Sequence, residues 1–138
     1  MSNEVANVEI LKEAYRQWHE TKGKSVDQFF SFFDENISFG SAPRGAAPLT
    51  FAKQYNNREA LKAYFDQLLA DWAMVHYTID EYVAQGDAVV ARGSTAWTNK
   101  ATGRTAETPK VDFWRFRDGK AVEFYEYFDT ACVAAAAT

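Results

Sequence analysis

One stretch near the C-terminus, residues 111–129 (VDFWRFRDGKAVEFYEYFD), restricts the fold more than any other part of the chain. Two runs of alternating side chains flank Asp118 and Gly119, so the stretch predicts a β-hairpin. Alternate side chains of a strand point to opposite faces, and a shift of one residue in the register exchanges the two faces. The length of the turn therefore decides which side chains face the core.

Two turns are compatible with this stretch, and they assign the side chains differently. A two-residue turn at Asp118 and Gly119 would place Asp112 on the same face as Glu123, so that charged and apolar side chains mix. A three-residue loop over residues 117–119, with Gly119 left-handed in a bulge, separates them better. We predict the three-residue loop. It gives an inner face that consists of Asp112, Trp114, Phe116, Val122, Phe124, Glu126 and Phe128.

The predicted inner face places two carboxylates, Asp112 and Glu126, among apolar side chains. In the predicted register they are diagonal neighbours on adjacent strands, roughly 7–8 Å apart at the backbone. Burial raises the pKa of a carboxyl group, and a second carboxyl nearby raises one of the two further, which suits general acid–base chemistry near neutral pH. The alternative is a structural pair of core carboxylates, satisfied by a tyrosine, a tryptophan N–H or Lys110.

The rest of the chain predicts an α+β fold. Apolar spacings of three and four residues predict a helix over about residues 4–21, a short helix from Val26 and a third helix that begins after Asn56. Period-two runs predict strands over residues 37–41, 74–85, 88–98, 104–117 and 120–130. Residues 40–56 follow no period and predict a long loop. We expect one domain over residues 1–138, in which a curved antiparallel sheet wraps around the N-terminal helices and encloses a pocket.

Charge and cysteine content exclude several classes of function. The chain has 15 basic and 19 acidic residues and a net charge of −4, which argues against binding to nucleic acid or to an anionic membrane. Cys132 is the single cysteine, and His19 and His76 are far apart, so neither a disulfide framework nor a His/Cys metal cluster is expected. Without a phosphate loop or a dinucleotide motif we expect no cofactor. With no membrane-spanning run and no signal peptide, we expect a cytoplasmic protein.

The order of the elements and the C-terminal residues resemble the SnoaL-like branch of the nuclear-transport-factor-like superfamily. The stretch RFRDGKAVEFYEYFD (residues 115–129) is similar to the common close of that family: an aromatic residue, a charge, a (D/E)GK turn, an aromatic residue, a carboxylate, and YFD or WPD. The resemblance covers nearly the whole chain and implies a cone-shaped α+β fold with an internal pocket. Because this branch contains cyclases, isomerases, dehydratases and epoxide hydrolases, it implies the fold more specifically than the function.

Compared position by position, the resemblance singles out Glu126 and Asp112. In SnoaL-like cyclases and limonene-type epoxide hydrolases a catalytic Asp lies seven residues after the turn glycine, where this chain has Glu126. The cyclases also use a His seven residues before that glycine, where this chain has Asp112. Gly93 and Thr95 replace the Arg-x-Asp pair of the epoxide hydrolases, and Ser41 stands at about the position of the ketosteroid isomerase base. The resemblance therefore implies Glu126 and Asp112 as catalytic residues.

Aromatic residues supply both a predicted ligand pocket and a predicted interface. Alternation along the strands places Trp97 and Trp114 on the inner face, where they would line an apolar pocket. The predicted ligand-binding residues are Tyr15, Trp18, Phe39, Ser41, Trp97 and Trp114, and the alternative for each aromatic one is a plain core position. The outer face carries Phe113, Tyr125 and Tyr127, so we expect a homodimer through the sheet.

Two functions remain open at the level of the sequence. The first is a cofactor-independent enzyme, an isomerase, cyclase or dehydratase, that acts on a hydrophobic ring-bearing molecule with Glu126 as general acid or base. Asp112 would tune or relay its proton. The second is a binding protein that sequesters a lipophilic small molecule without converting it. A third reading, a protein-interaction domain that uses the outer sheet face, requires an inner cavity filled by the protein's own side chains.

Overall fold

The computed structural model describes residues 3–138, which form four helices and five strands. The helices are α1 (Asn3–Glu20), α2 (Val26–Phe30), α3 (Leu61–Asp71) and α4 (Thr130–Ala136). The strands are β1 (Phe33–Ser41), β2 (Trp72–Gln85), β3 (Ala88–Asn99), β4 (Thr105–Arg117) and β5 (Lys120–Phe128). None of the helices in the described part of the chain is long and apolar enough to span a membrane.

The helices form where the apolar spacing predicts them, with differences at their ends. Helix α1 buries Leu11, Tyr15 and Trp18 along one face. It ends before Gly23, whose φ of 90° suits a glycine and whose N–H donates to the Trp18 carbonyl (3.0 Å). Helix α3 has 11 residues, because the side chain of Asn57 accepts a hydrogen bond from the N–H of Ala60 and holds the preceding residues in a turn.

The five strands form one sheet in the order β1-β5-β4-β3-β2. The predicted α+β class is confirmed. Strands β2 to β5 form the predicted antiparallel meander, whereas β1 pairs parallel to β5. The sheet is therefore mixed rather than wholly antiparallel, because the chain crosses through α3 and the meander before β5 lies beside β1.

The hairpin between β4 and β5 corrects the predicted turn. Arg117 pairs with Lys120 across a two-residue turn, in which Asp118 and Gly119 both have positive φ (51° and 77°). The predicted three-residue loop is wrong. A bulge follows instead, since Phe116 pairs with Ala121 while the next pair joins residues 115 and 123. Val122 is the extra residue of the bulge, so Ala121 is buried on the inner face and the predicted inner position of Val122 is wrong. From Phe124 onward the inner face is as predicted.

Aromatic side chains fill the space between the helices and the concave face of the sheet. Trp114, Phe33 and Leu11 are among the fully buried side chains. Phe29 of α2 stacks on Trp114 of β4 with ring centroids 6.2 Å apart, and Phe39 of β1 stacks on Phe124 of β5 at 4.2 Å. This core fixes α1 and α2 against the sheet and leaves a cavity beside them.

Candidate functional site

A cavity of about 100 Å³ lies between the sheet, α1, α3 and the C-terminal segment. Its wall is mainly apolar and aromatic, and three charged side chains of adjacent strands are part of it: Lys110, Asp112 and Glu126. An apolar wall with a few converging polar groups is the usual construction of a small-molecule site. Engineered apolar cavities of about 150 Å³ accept benzene, so the volume corresponds to a ligand of about one ring.

Asp112 and Glu126 lie directly opposite each other on β4 and β5. The predicted diagonal placement is wrong by one residue pair, because the bulge follows the turn rather than lying within it. Lys110 lies two residues before Asp112 and on the same face. Its ammonium nitrogen Nζ is 2.6 Å from Asp112 Oδ1 and 3.1 Å from Glu126 Oε1. All three side chains are more than nine-tenths buried, so the expected repulsion between two carboxylates is offset by a buried cation.

Asp112 is held by donors from three elements. Its Oδ2 accepts hydrogen bonds from the hydroxyls of Tyr15 on α1 and Tyr77 on β2, both at 2.6 Å. Tyr15 in turn accepts a hydrogen bond from the indole N–H of Trp114 (2.9 Å), and Tyr77 accepts one from Lys110. Each donor that surrounds Asp112 therefore has a fixed direction, which orients the carboxylate and ties α1 to the sheet.

Glu126 is held less completely. Its Oε2 accepts hydrogen bonds from the hydroxyl of Tyr64 on α3 (2.8 Å) and from Ser41 at the end of β1. Within residues 3–138, its Oε1 has a single polar partner, the ammonium group of Lys110. A carboxylate oxygen accepts two hydrogen bonds, so Oε1 has one position left for a ligand.

The electrostatics of the cluster favour a protonated lysine and protonated tyrosines. Burial alone lowers the pKa of Lys110, but the carboxylates of Asp112 and Glu126 outweigh burial and hold its pKa above the ordinary value. Burial, and then the adjacent carboxylates, raise the pKa values of Tyr15, Tyr64 and Tyr77 well above the ordinary value. At neutral pH the cluster thus contains one ammonium group and neutral tyrosine hydroxyls.

The outer end of the cavity is covered by the loop after β1 and by α4. Leu49 and Ala52 of the loop are buried and line the cavity, and Val133 of α4 lies beside them. Asp129 caps α4, because its side chain accepts a hydrogen bond from the N–H of Cys132 (3.0 Å). Asp129 therefore has a structural role at the start of α4.

The structure brings most of the predicted site residues together. Tyr15, Trp18, Phe39, Trp97 and Trp114 lie in the cavity wall with Asp112 and Glu126. Ser41 is buried but is not part of the wall, and it reaches the site only through its hydrogen bond to Glu126. The catalytic and ligand-binding roles of these residues stay predictions.

The sequence interpretation underestimated Lys110, Tyr64 and Tyr77. Lys110 was considered only as a partner in a structural pair, although it shares the inner face with Asp112 and Trp114 by simple alternation along β4. Tyr64 follows Leu61 by three residues on the apolar face of α3, and Tyr77 lies among alternating residues of β2. Both tyrosines read as plain core side chains, because only the tertiary structure places their hydroxyls next to a carboxylate.

Other residues considered from the sequence have local partners. The His76 ring lies 3.1 Å from a carboxylate oxygen of Glu107 and 3.2 Å from the hydroxyl of Thr78. The hydroxyl of Thr95 is also in the cavity wall, and it accepts a hydrogen bond from the indole N–H of Trp97 (2.7 Å). Across residues 3–138, no group of three or more His, Cys, Asp or Glu side chains is arranged to hold a metal ion.

The sequence matches the family model of the SnoaL-like domain over residues 12–124. That match spans most of the chain, so the protein belongs to the SnoaL-like domain family. A search of curated protein sequences gives no match.

Solved structures share the fold across nearly the whole chain. An NTF2-like protein from Burkholderia xenovorans is 24% identical, with a TM-score of 0.80, and the match covers 99% of this chain and 98% of that one. A candidate SnoaL-like polyketide cyclase from Jannaschia sp. is 15% identical (TM-score 0.79, 99% and 94% covered). TerC, co-crystallised with polyporic acid, is 22% identical (TM-score 0.76, 96% and 98% covered). At these identities the similarity establishes the fold alone.

Proposed function

We propose that the protein is a cofactor-independent acid–base enzyme that acts on a small, hydrophobic, ring-bearing molecule in the cavity. The observation that carries the proposal is the position of Glu126. Glu126 lines an aromatic cavity, its Oε2 is fixed by the hydroxyls of Tyr64 and Ser41, and its Oε1 pairs with Lys110 and has one acceptor position uncommitted. A carboxylate that is fixed on one oxygen and open on the other is positioned to accept a proton from a bound ligand.

Lys110 positions Glu126 for this role. Its ammonium group is 3.1 Å from Glu126 Oε1 and holds that oxygen in place. Asp112 binds the other side of the ammonium group and is held by two tyrosines. Glu126 is therefore the proton acceptor, and Asp112 is a positioning residue that acts through Lys110.

The relatives support the class of reaction and the kind of ligand. Among the similar structures is a candidate polyketide cyclase, and TerC was crystallised with polyporic acid. A ring-bearing ligand agrees with the aromatic wall formed by Trp18, Trp97 and Phe39. Isomerisation, aldol-type cyclisation and dehydration each need a positioned proton acceptor, which Glu126 supplies.

One specific observation favours a second function, binding without conversion. The hydroxyls of Tyr15, Tyr64 and Tyr77 and the ammonium group of Lys110 all donate to partners inside the protein. None of these four groups has a donor left to stabilise negative charge on a substrate oxygen, which enolate chemistry requires. In this second function the same cavity sequesters the ligand.

Exchange of the hydrogens of a ring ketone for deuterium separates the two functions. The C–H groups next to the carbonyls of cyclohexane-1,2-dione would be followed by NMR in D₂O, with wild-type protein, Glu126→Gln and Glu123→Gln. Glu123 lies on the same strand, pairs with Arg115 on the outer face and serves as the matched control. We expect the wild type and the control to accelerate exchange, and Glu126→Gln to lose about a hundredfold or more. Equal rates in all three proteins would exclude Glu126 as the base, and binding without exchange would favour sequestration.

A further inference from the structure

We infer that the cavity selects a one-ring ligand whose polar group is a hydrogen-bond donor, neutral or cationic, and that it discriminates against anions. This inference rests on the ligand site of the proposed function, and it holds for conversion and for sequestration alike. The inference follows from the hydrogen-bond donors and acceptors at the polar end of the cavity that already have partners within the protein. This polar end consists of Tyr15, Tyr64, Tyr77, Lys110, Asp112 and Glu126.

The donors of the polar end are all committed. Lys110 donates to Tyr77 and Asp112 and directs its remaining charge at Glu126 Oε1. The hydroxyls of Tyr15 and Tyr77 donate to Asp112 Oδ2, and that of Tyr64 donates to Glu126 Oε2. A hydroxyl has one proton and an ammonium group has three, so this cluster has no donor to offer a ligand.

Acceptors remain at the same end. In the described part of the chain, Glu126 Oε1 and Asp112 Oδ1 each have only Lys110 as a polar partner, and both residues line the cavity. The hydroxyl of Tyr64 donates a hydrogen bond to Glu126, and the lone pairs of its oxygen remain able to accept one. A ligand that brings an O–H or N–H group therefore finds partners, whereas a ligand that brings only acceptors finds none within the cluster.

The charge of the cluster points the same way. Two carboxylates and one ammonium group leave one negative charge when all three are ionised, inside a site with little water. A buried carboxylate or phosphate on the ligand would add a like charge to Glu126 and Asp112, which is costly, whereas an ammonium group would complete the balance. The aromatic wall adds to this preference, because the faces of aromatic rings attract cations.

The indole N–H groups outside the cluster do not change this balance. Trp97 donates to the hydroxyl of Thr95, and Trp18 and Trp72 each add one neutral donor to the cavity wall. Neutral donors on the wall do not offset the repulsion between an anionic ligand and the two carboxylates. The discrimination against anionic ligands therefore arises at the polar end, and Glu126 determines it.

Matched pairs of one-ring probes test the inference by calorimetry at pH 7. Phenol and toluene differ in a hydroxyl against a methyl group, and benzylamine (protonated) and benzoate differ in the sign of the charge. We expect phenol to bind about tenfold or more tightly than toluene, and benzylamine to exceed benzoate by at least as much. Toluene binding as tightly as phenol, benzoate binding as tightly as benzylamine, or no binding of any probe would overturn the inference.

Two variants assign the preference to Glu126. Glu126→Gln removes the charge and is expected to bring phenol and toluene to within about threefold of each other, while Glu123→Gln keeps the wild-type preference. If Glu126→Gln does not fold, the comparison of probes on the wild-type protein still decides the inference. The exchange assay is independent of this test. A wild-type protein that prefers donor ligands but does not accelerate exchange would refute only the catalytic proposal. A wild-type protein that accelerates exchange but shows no donor preference would refute only the donor preference.

Discussion

Lys110 compensates two buried carboxylates at once, with Asp112 Oδ1 at 2.6 Å and Glu126 Oε1 at 3.1 Å from its ammonium nitrogen. Buried ion pairs stabilise a fold weakly relative to apolar side chains of the same shape. Breaking such a pair by removing one partner is nevertheless strongly unfavourable, because a charge stays buried without compensation. The stability of this site therefore depends on a residue that a motif comparison with the family does not single out.

Replacement of Lys110 tests that dependence. We expect Lys110→Met to lower the free energy of unfolding by about 3–5 kcal/mol at pH 7, measured by urea denaturation, because Asp112 and Glu126 then repel each other in the core. Lys62→Met, on the exposed side of α3, is the control. A deficit for Lys110→Met no larger than that for Lys62→Met would contradict the account.

The buried tyrosines predict a loss of stability in alkali. Tyr15, Tyr64, Tyr77 and Lys110 all have pKa values raised by the fold. A group whose pKa is raised in the folded state contributes stability that is complete below its unfolded pKa and disappears as the pH rises through its folded pKa. The free energy of unfolding should therefore fall from about pH 10 upward.

Urea midpoints at pH 8 and pH 11, with tyrosinate absorbance followed in parallel, check this expectation. The three buried tyrosines should ionise only as the chain unfolds. An unchanged midpoint at pH 11 would show that the three hydroxyls are not locked in the cluster.

At the scale of the elements, periodicity predicted the order of helices and strands, and the inner face of β4 follows from alternation around Trp114. The predicted turn between β4 and β5 was wrong. A two-residue turn with a bulge and a three-residue loop place the side chains beyond Val122 on the same faces of the sheet, so the alternation of residues cannot separate them. Two observations distinguish them: Asp112 pairs with Glu126, and Ala121 rather than Val122 is buried on the inner face. The hydroxyls that hold Glu126 come from β1 and α3, and no local pattern reports such distant contacts.

Helix α4 depends on its N-cap. Asp129→Ala removes the acceptor for the Cys132 N–H and should cost about 1 kcal/mol of unfolding free energy. Because α4 places Val133 in the cavity wall, the same change should weaken ligand binding. Asp129→Asn keeps the acceptor and serves as the conservative control. Thermal unfolding and probe binding would be measured together, and a fully stable Asp129→Ala would show that the cap does not hold α4.

At the scale of the whole molecule, the outer face of the sheet predicts a homodimer. The strand register places Val83, Val90, Phe113 and Tyr125 in one row across this face. The ring of Tyr127 lies 4.8 Å from that of Tyr125, and about half of Tyr127 is exposed. A contiguous apolar row on a sheet face is typical of a contact between subunits.

Size-exclusion chromatography with light scattering, which measures the molecular mass of the protein in solution, tests the predicted dimer. We expect the wild type to have twice the mass of the chain and Tyr127→Glu to elute as a monomer, because a charge placed in an apolar contact is costly. Ala63→Glu introduces the same charge on the exposed side of α3 and should remain dimeric. A monomeric wild type would contradict the prediction.

The central claim is that ligand binds in the cavity with its polar group at Glu126. The most direct test is an NMR measurement of nuclear Overhauser contacts between phenol and the protein in solution. The account predicts contacts from the phenol ring to the indole of Trp97 and to the methyl groups of Val133, which line the cavity from two sides. It also predicts that these contacts weaken when Glu126 is replaced by Gln and stay unchanged when Glu123 is replaced by Gln. Contacts only to the outer face, such as Phe113 and Tyr127, would contradict it.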